Sequence, residues 1–173
     1  MIELLRCFLD ICLLRKAPQD LPASSFLLGL AAAFFIIVDV SIALLSLPLG
    51  QALALTLVDA VVLAGLLWVL LWIRELLPRY TQTLTALYGA CMVMQIVAAP
   101  VVLWQWNAVP ESIGMALASL LLWIWLLWNL FVIGHVIRHA ASTVLPVGVG
   151  LALLYLFVTF SITRTIFFPE ATV

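Results

Sequence analysis

The sequence predicts an all-α fold: a polytopic integral membrane bundle of five transmembrane helices, preceded by an N-terminal interfacial amphipathic helix. Three observations carry that expectation. First, 67% of the 173 residues are apolar and 9% are charged, against about 45–50% and about 25% in soluble globular domains, and a mean hydropathy of +1.32 makes hydrocarbon the natural solvent of most side chains. Second, the apolar residues fall into five runs, each long enough to cross a bilayer. Third, the basic residues gather at alternate ends of those runs.

The runs are Ser24 to Leu47, Gln51 to Ile73, Thr83 to Trp104, Ile113 to Ile137 and Thr143 to Thr163. At ~1.5 Å per residue each covers roughly 31–38 Å, enough for a ~30 Å hydrocarbon core with some tilt. Pro22, Pro48, Pro78 and Pro110 fall between runs, and Pro146 falls in a first turn, where a missing N–H costs little. Pro100, inside the third run, predicts a kink near its outer end. With the N-terminus inside, Arg6, Arg15, Lys16, Arg74, Arg79 and Arg138 are cytoplasmic and Arg164 alone is opposite, the bias of the positive-inside rule. Residues 23–168 then form the bundle, and 169–173 a short tail on the non-cytoplasmic side. Trp68 and Trp72 near one boundary, with Trp104 and Trp106 near the other, fit aromatic belts.

Residues 2 to 15 are apolar but too short to span, and Glu3, Arg6 and Asp10 recur at spacings of three and four, which places one polar stripe on an apolar helix. Residues 1–22 are therefore read as a cytoplasmic interfacial helix and a Pro-containing linker, with Arg15 and Lys16 beside lipid headgroups and the helix C-terminal dipole. The alternative is a helix packed on the underside of the bundle. Glu3 and Asp10 stand where a cleavable signal would carry a basic leader and an unbroken apolar core, so the segment is expected to stay on the mature chain. Cys7, Cys12 and Cys91 have no CxxC spacing and no second cluster, and are read as plain thiols with no metal and no disulfide framework. A net charge of −1 with scattered basic residues excludes a nucleic-acid partner.

Helices in lipid pack through small residues and polar pairs. In the first span Ser25, Gly29, Ala32, Ile36, Asp39, Ala43 and Ser46 share a face; in the third, Thr81, Thr85, Tyr88, Met92, Gln95 and Ala99; in the fifth, Gly148, Ala152, Tyr155 and Thr159. These stripes are the expected interior. A carboxylate near mid-bilayer costs roughly 2.5–3.5 kcal/mol on insertion scales. Asp39 lies ten residues before Leu49 and Asp59 ten after it, so a tight hairpin brings both acids to one depth, roughly 12 Å below the outer end, with Gln95 at about that level. Such a layer is either structural or a proton or cation site formed by Asp39, Asp59 and Gln95, in which facing carboxyls would share a proton. Arg164 is a possible counter-ion if its side chain reaches down, and an interfacial anchor if it snorkels outward.

Trp123, Trp125 and Trp128 fall at mid-span of the fourth helix, where belts are not expected, and Asn129 follows; His135 and His139 stand one turn apart at its cytoplasmic end. These six residues are a candidate lipid or partner surface, with gap-filling indoles and interfacial histidines as the plainer reading. No cofactor is expected. The sequence carries no GxSxG elbow, no HExxH and no Gly-rich phosphate loop, and its histidines and intramembrane acids belong to opposite halves of the spans, so the chain is expected to be non-enzymatic.

The amphipathic start, the approach Lys16-Ala17-Pro18-Gln19-Asp20-Leu21-Pro22 and the five closely spaced spans together resemble the bacterial, Yip-type branch of the five-span Ypt/Rab-interacting membrane proteins. Asp20, Leu21 and Pro22 echo the Asp-Leu-aromatic-Gly-Pro element of eukaryotic members, without the aromatic and the Gly. The resemblance implies a membrane-organising scaffold or accessory subunit in a bacterial inner membrane, working through membrane lipids, a protein partner or a homo-oligomer. The competing expectation is a small proton-coupled transporter or conducting subunit centred on Asp39 and Asp59, and a third is lipid handling through the Trp-rich fourth span.

Overall fold

The computed structural model describes residues 2–167, and the expected tail at 169–173 lies outside them. The chain runs α1 (Ile2–Cys12), a 3-10 turn (Pro18–Asp20), α2 (Ser25–Ala43), α3 (Leu49–Ile73), a second 3-10 turn (Leu77–Arg79), α4 (Tyr80–Asn107), α5 (Ile113–Ala140) and α6 (Leu145–Phe167). Among the described residues α2 to α6 are the five helices long and apolar enough to cross a membrane, and the chain is an all-α integral membrane bundle.

Local chemistry explains most of the helix ends. Ser24 and Ser112 cap α2 and α5, their hydroxyls accepting the Leu27 and Met115 N–H groups. Pro48 precedes α3, where its missing N–H leaves no donor to satisfy. α2 closes at Ala43, short of Leu47, because the tighter bonds Leu45 N to Ile42 O and Ser46 N to Ala43 O unwind its last residues. α4 extends past both expected ends and continues as helix through Pro100. At the basic end, α1, α3 and α5 all close on a residue in the left-handed region, Leu14, Glu75 and Ser142. In each the following N–H reaches back to an earlier carbonyl, as in Leu76 N to Leu71 O at 2.8 Å.

The bundle is organised around α4. Half of its most apolar window is buried, against 17–22% for the other four spans, and every residue from Thr83 to Cys91 is buried. Ala86, Gly89 and Ala90 make this stretch thin enough for neighbours to approach. α2, α3, α5 and α1 all pack on it, while α6 packs on α5 and α3.

One seam uses that thin surface, and a second uses a pair of glycines elsewhere. The packing face of α2 is Leu27, Ala31 and Phe35, with Phe35 stacked on Tyr88 at 5.2 Å; the expected Ser25–Gly29 edge is exposed instead, and a Cβ on Gly29 would meet nothing. The correction applies to the start of the helix, where the Phe35–Tyr88 stack turns Leu27 and Ala31 towards α4. Further along, Ala32 and Ile36 of the expected stripe pack on the core. Between α5 and α6 the backbones themselves touch: a Cβ on Gly148 would lie 2.2 Å from the Gly134 carbonyl oxygen, and one on Gly134 would lie 2.9 Å from the Val149 backbone.

α1 lies against the side of α4, not beneath the bundle. Its Phe8 ring occupies the space a Gly89 side chain would need, and Gly89 stands nine residues, ~13 Å, along α4. Cys7, Phe8, Ile11 and Cys12 are buried, while Leu5, Leu9 and Leu13 are exposed. Burial raises the Cys7 thiol pKa and pushes that of Cys12 up to about 12; the Cys12 Sγ–H points at Ala90 O, 3.5 Å away.

Gly148→Ala should destabilise the bundle by about 1–3 kcal/mol, because two backbones must separate, whereas Gly29→Ala should be neutral or stabilise by up to ~1 kcal/mol; unfolding in mixed micelles measures both. A raised thiol pKa keeps Cys12 protonated and unreactive below about pH 12. Maleimide at neutral pH should therefore leave Cys12 unmodified in the folded protein and label it after denaturation in SDS, as peptide mass spectrometry would show.

Candidate functional site

Interhelical hydrogen bonds concentrate where α2, α3, α4 and α6 meet. Asp39 on α2 accepts the Thr56 hydroxyl of α3 at 2.5 Å and the Gln95 side-chain amide of α4 at 2.8 Å, one on each carboxyl oxygen. One turn along α3, Asp59 accepts the Tyr155 hydroxyl of α6 at 2.5 Å. Thr159, one turn further along α6, is close enough to influence the Asp59 carboxyl, although its own hydroxyl is buried without a geometrically complete hydrogen bond among the described residues. Tyr88 donates to the Ala60 carbonyl at 2.9 Å, tying α4 to the same stretch of α3.

The two carboxyls are near enough to feel one another electrostatically, yet each has its own set of donors. Among the described residues no hydrogen bond joins the two carboxyls directly. Their depths also differ: Asp39 is level with Thr56, three residues and ~4.5 Å nearer the hairpin than Asp59. The offset accompanies the closing of α2 at Ala43 and the turns over Leu44 to Leu47 that lead to Leu49. Thr56 is absent from the residues anticipated for this site, and Tyr155 was anticipated only as part of a stripe. Both could have been found, since Thr56 is three residues before Asp59 on the same face of α3 and Tyr155, with Thr159, is a polar member of the small-residue face of α6.

Gln95 presents one further feature. Its amide nitrogen is used by Asp39, while its oxygen is buried with no partner among the described residues. The amide is therefore half-satisfied at a depth where water is scarce. Arg164 stands in the last turn of α6 and is exposed, nine residues and ~13 Å beyond Tyr155.

The residues proposed as a lipid or partner surface divide in a different way. Trp123 is 65% exposed and faces outward. Trp125 turns inward and donates to the Met94 carbonyl at 2.8 Å, and Asn129 carries a buried carbonyl oxygen with no partner among the described residues. Trp128 and the two histidines contact the chain's own N-terminal segment. The Trp128 indole donates to Cys12 O at 3.1 Å, satisfying a carbonyl that the end of α1 leaves orphaned. His135 donates through Nε2 to Lys16 O at 3.0 Å, Gln19 donates to His139 O at 3.0 Å, and the two imidazoles meet edge to face. Gln82 of α4 closes the strap with bonds to the Gln19 and Leu21 carbonyls. Positions 128, 135 and 139 lie on one face of α5 because they are spaced by seven and four, and that face guides residues 12–19 down the bundle.

Removing either donor to Asp39, as in Thr56→Val or Gln95→Leu, should cost about 0.6–1.7 kcal/mol, the range measured for interhelical hydrogen bonds in membranes. The double variant should lose less than the sum, since both bonds end on one carboxyl; unfolding by steric trapping in bicelles measures the cycle.

The chain matches no family model, no curated protein and no solved structure.

Proposed function

We propose that this protein is a non-enzymatic membrane scaffold or accessory subunit, of the kind the Yip-type resemblance implies, acting through lipids or a protein partner from a bacterial inner membrane. The observation that carries this reading is how the polar groups are used. Asp39, Asp59, Thr56, Gln95 and Tyr155 bind helices to one another, and Trp128, His135 and Gln82 hold the N-terminal segment. Polar groups spent on fixing a bundle make a frame. What the frame then offers to its surroundings is α1, the outward Trp123 and an apolar groove of about 430 Å³ between α1, α4 and α5, bordered by Met94, Trp125 and Trp128. The end of the bundle carrying Arg6, Arg15, Lys16, Arg74, Arg79 and Arg138 is the cytoplasmic end in this reading, by the positive-inside rule.

A second reading, proton-coupled transport through Asp39 and Asp59, draws on the half-satisfied Gln95 amide. Protonation of Asp39 would make its carboxyl a donor, and a turn of the Gln95 amide would then present an oxygen to accept from it. Proteoliposomes with an internal pH dye separate the two. A scaffold gives no proton flux above protein-free vesicles, and Asp39→Asn and Asp59→Asn leave that baseline unchanged in folded protein. Flux in the parent that either substitution abolishes would overturn the scaffold reading in favour of transport.

A further inference from the structure

We propose that α1 and the segment that follows it form a binding site for one aminophospholipid, with its phosphoethanolamine headgroup in a charged hollow and an acyl chain in an adjoining apolar cleft. The inference rests on the lipid-directed scaffold reading and names the lipid. Between α1 and the residue 16–22 segment lies a hollow of about 540 Å³, bordered by Glu3, Arg6, Asp10, Lys16 and Asp20. On the other side of α1, against α2, an apolar cleft of about 130 Å³ is bordered by Phe8, Leu27, Ala31 and Phe34. Leu4 borders both. A charged compartment and a hydrocarbon-lined one therefore adjoin at Leu4, the juxtaposition that an amphiphile with headgroup and chain would occupy.

Depth agrees with that assignment. The hollow includes Pro22, just ahead of α2, and belongs to the end of the bundle where the basic residues gather. The cleft reaches Phe34, nine residues or ~13 Å along α2, well into the apolar span.

The charges select the headgroup. Lys16 and Asp10 satisfy each other at 3.3 Å. One Asp20 oxygen, Oδ2, accepts the Ala17 N–H at 2.9 Å, which leaves its second oxygen for a ligand. Glu3 and Arg6 are exposed. The hollow thus offers one guanidinium and two carboxylates. A guanidinium fork suits a phosphate, and carboxylates suit a primary ammonium, which brings three N–H donors for charge-assisted bonds. A choline headgroup has the charge without the donors. An anionic glycerol headgroup brings hydroxyl donors to Glu3 and Asp20 but no positive charge to set against them.

The test is native mass spectrometry of the full chain released from nanodiscs of equimolar phosphatidylethanolamine, phosphatidylcholine and phosphatidylglycerol. One phosphatidylethanolamine per chain should be retained in preference to either competitor by about tenfold. The Glu3→Gln/Asp20→Asn double variant should lose that preference and gain phosphatidylglycerol, a change of sign that misfolding would not produce. Arg6→Gln should weaken retention of all three. Glycerophosphoethanolamine, which has the headgroup and no chains, should fail to displace the lipid, and displacement by it would overturn the role of the cleft. Equal retention of the three lipids by the parent, or a double variant that keeps the parent's preference, would overturn the site while leaving a lipid-directed scaffold standing. Retention of no lipid at all would overturn both.

Discussion

The whole arrangement depends on α4 being narrow between Thr83 and Cys91. Apolar helices gain little from meeting one another in hydrocarbon, since lipid tails are as apolar as leucine, so association rests on close contact and on the few polar pairs that contact permits. Ala86, Gly89 and Ala90 provide that closeness for α1 and α2. With the neighbours drawn in, Tyr88 reaches the backbone of α3 and Gln95 reaches Asp39 on α2. A bulkier α4 would leave those polar groups short of their partners and exposed to hydrocarbon, where each unsatisfied group costs several kcal/mol.

The same principle makes α5 and α6 one unit. Their contact at Gly134 and Gly148 is between backbones, which leaves no side chain to adjust. α6 in turn carries Tyr155, whose hydroxyl donates to Asp59. The hydrogen-bonded layer therefore reports on the packing of all four helices at once: α2 through Asp39, α3 through Thr56 and Asp59, α4 through Gln95, and α6 through Tyr155.

Much of this was legible in the residues. Five apolar runs separated by prolines announced five spans, and the stripe Gly148, Ala152, Tyr155 identified the buried face of α6, because small residues recurring every three or four positions have few other uses in a membrane. The α2 stripe holds in part: Ala32 and Ile36 pack on the core and Asp39 is bonded into it, while Ser25 and Gly29 stay exposed. The first turns of α2 pack through Leu27, Ala31 and Phe35 instead, and the ring that Phe35 stacks on, Tyr88, belongs to another helix and leaves no mark in the α2 run. The depth of Asp39 was misjudged by one turn because hydropathy does not mark where a helix unwinds, and the residues Leu44 to Leu47 are as apolar as those before them. The strap formed by Trp128, His135 and Gln82 was invisible for a different reason: its acceptors are backbone carbonyls of residues 12 to 21, which carry no side-chain signature.

Arg74 and Arg79 bear on how such a bundle is assembled. Their guanidinium groups donate to the Ala141 and Ala140 carbonyls, at 3.1 and 3.2 Å, and Arg79 also donates to the Ser142 hydroxyl at 2.9 Å, so cations from the α3–α4 connection rest on the negative end of the α5 dipole. The chain is made in order, so Arg74 and Arg79 precede their partners by 67 and 61 residues. They first act as charges that resist crossing the bilayer. They act as a clasp only once α5 has returned to the same side. An α4–α5 pair that failed to return to that side would have no clasp to close, so the contact physically distinguishes a chain whose α4 and α5 are in place from one in which they have yet to settle.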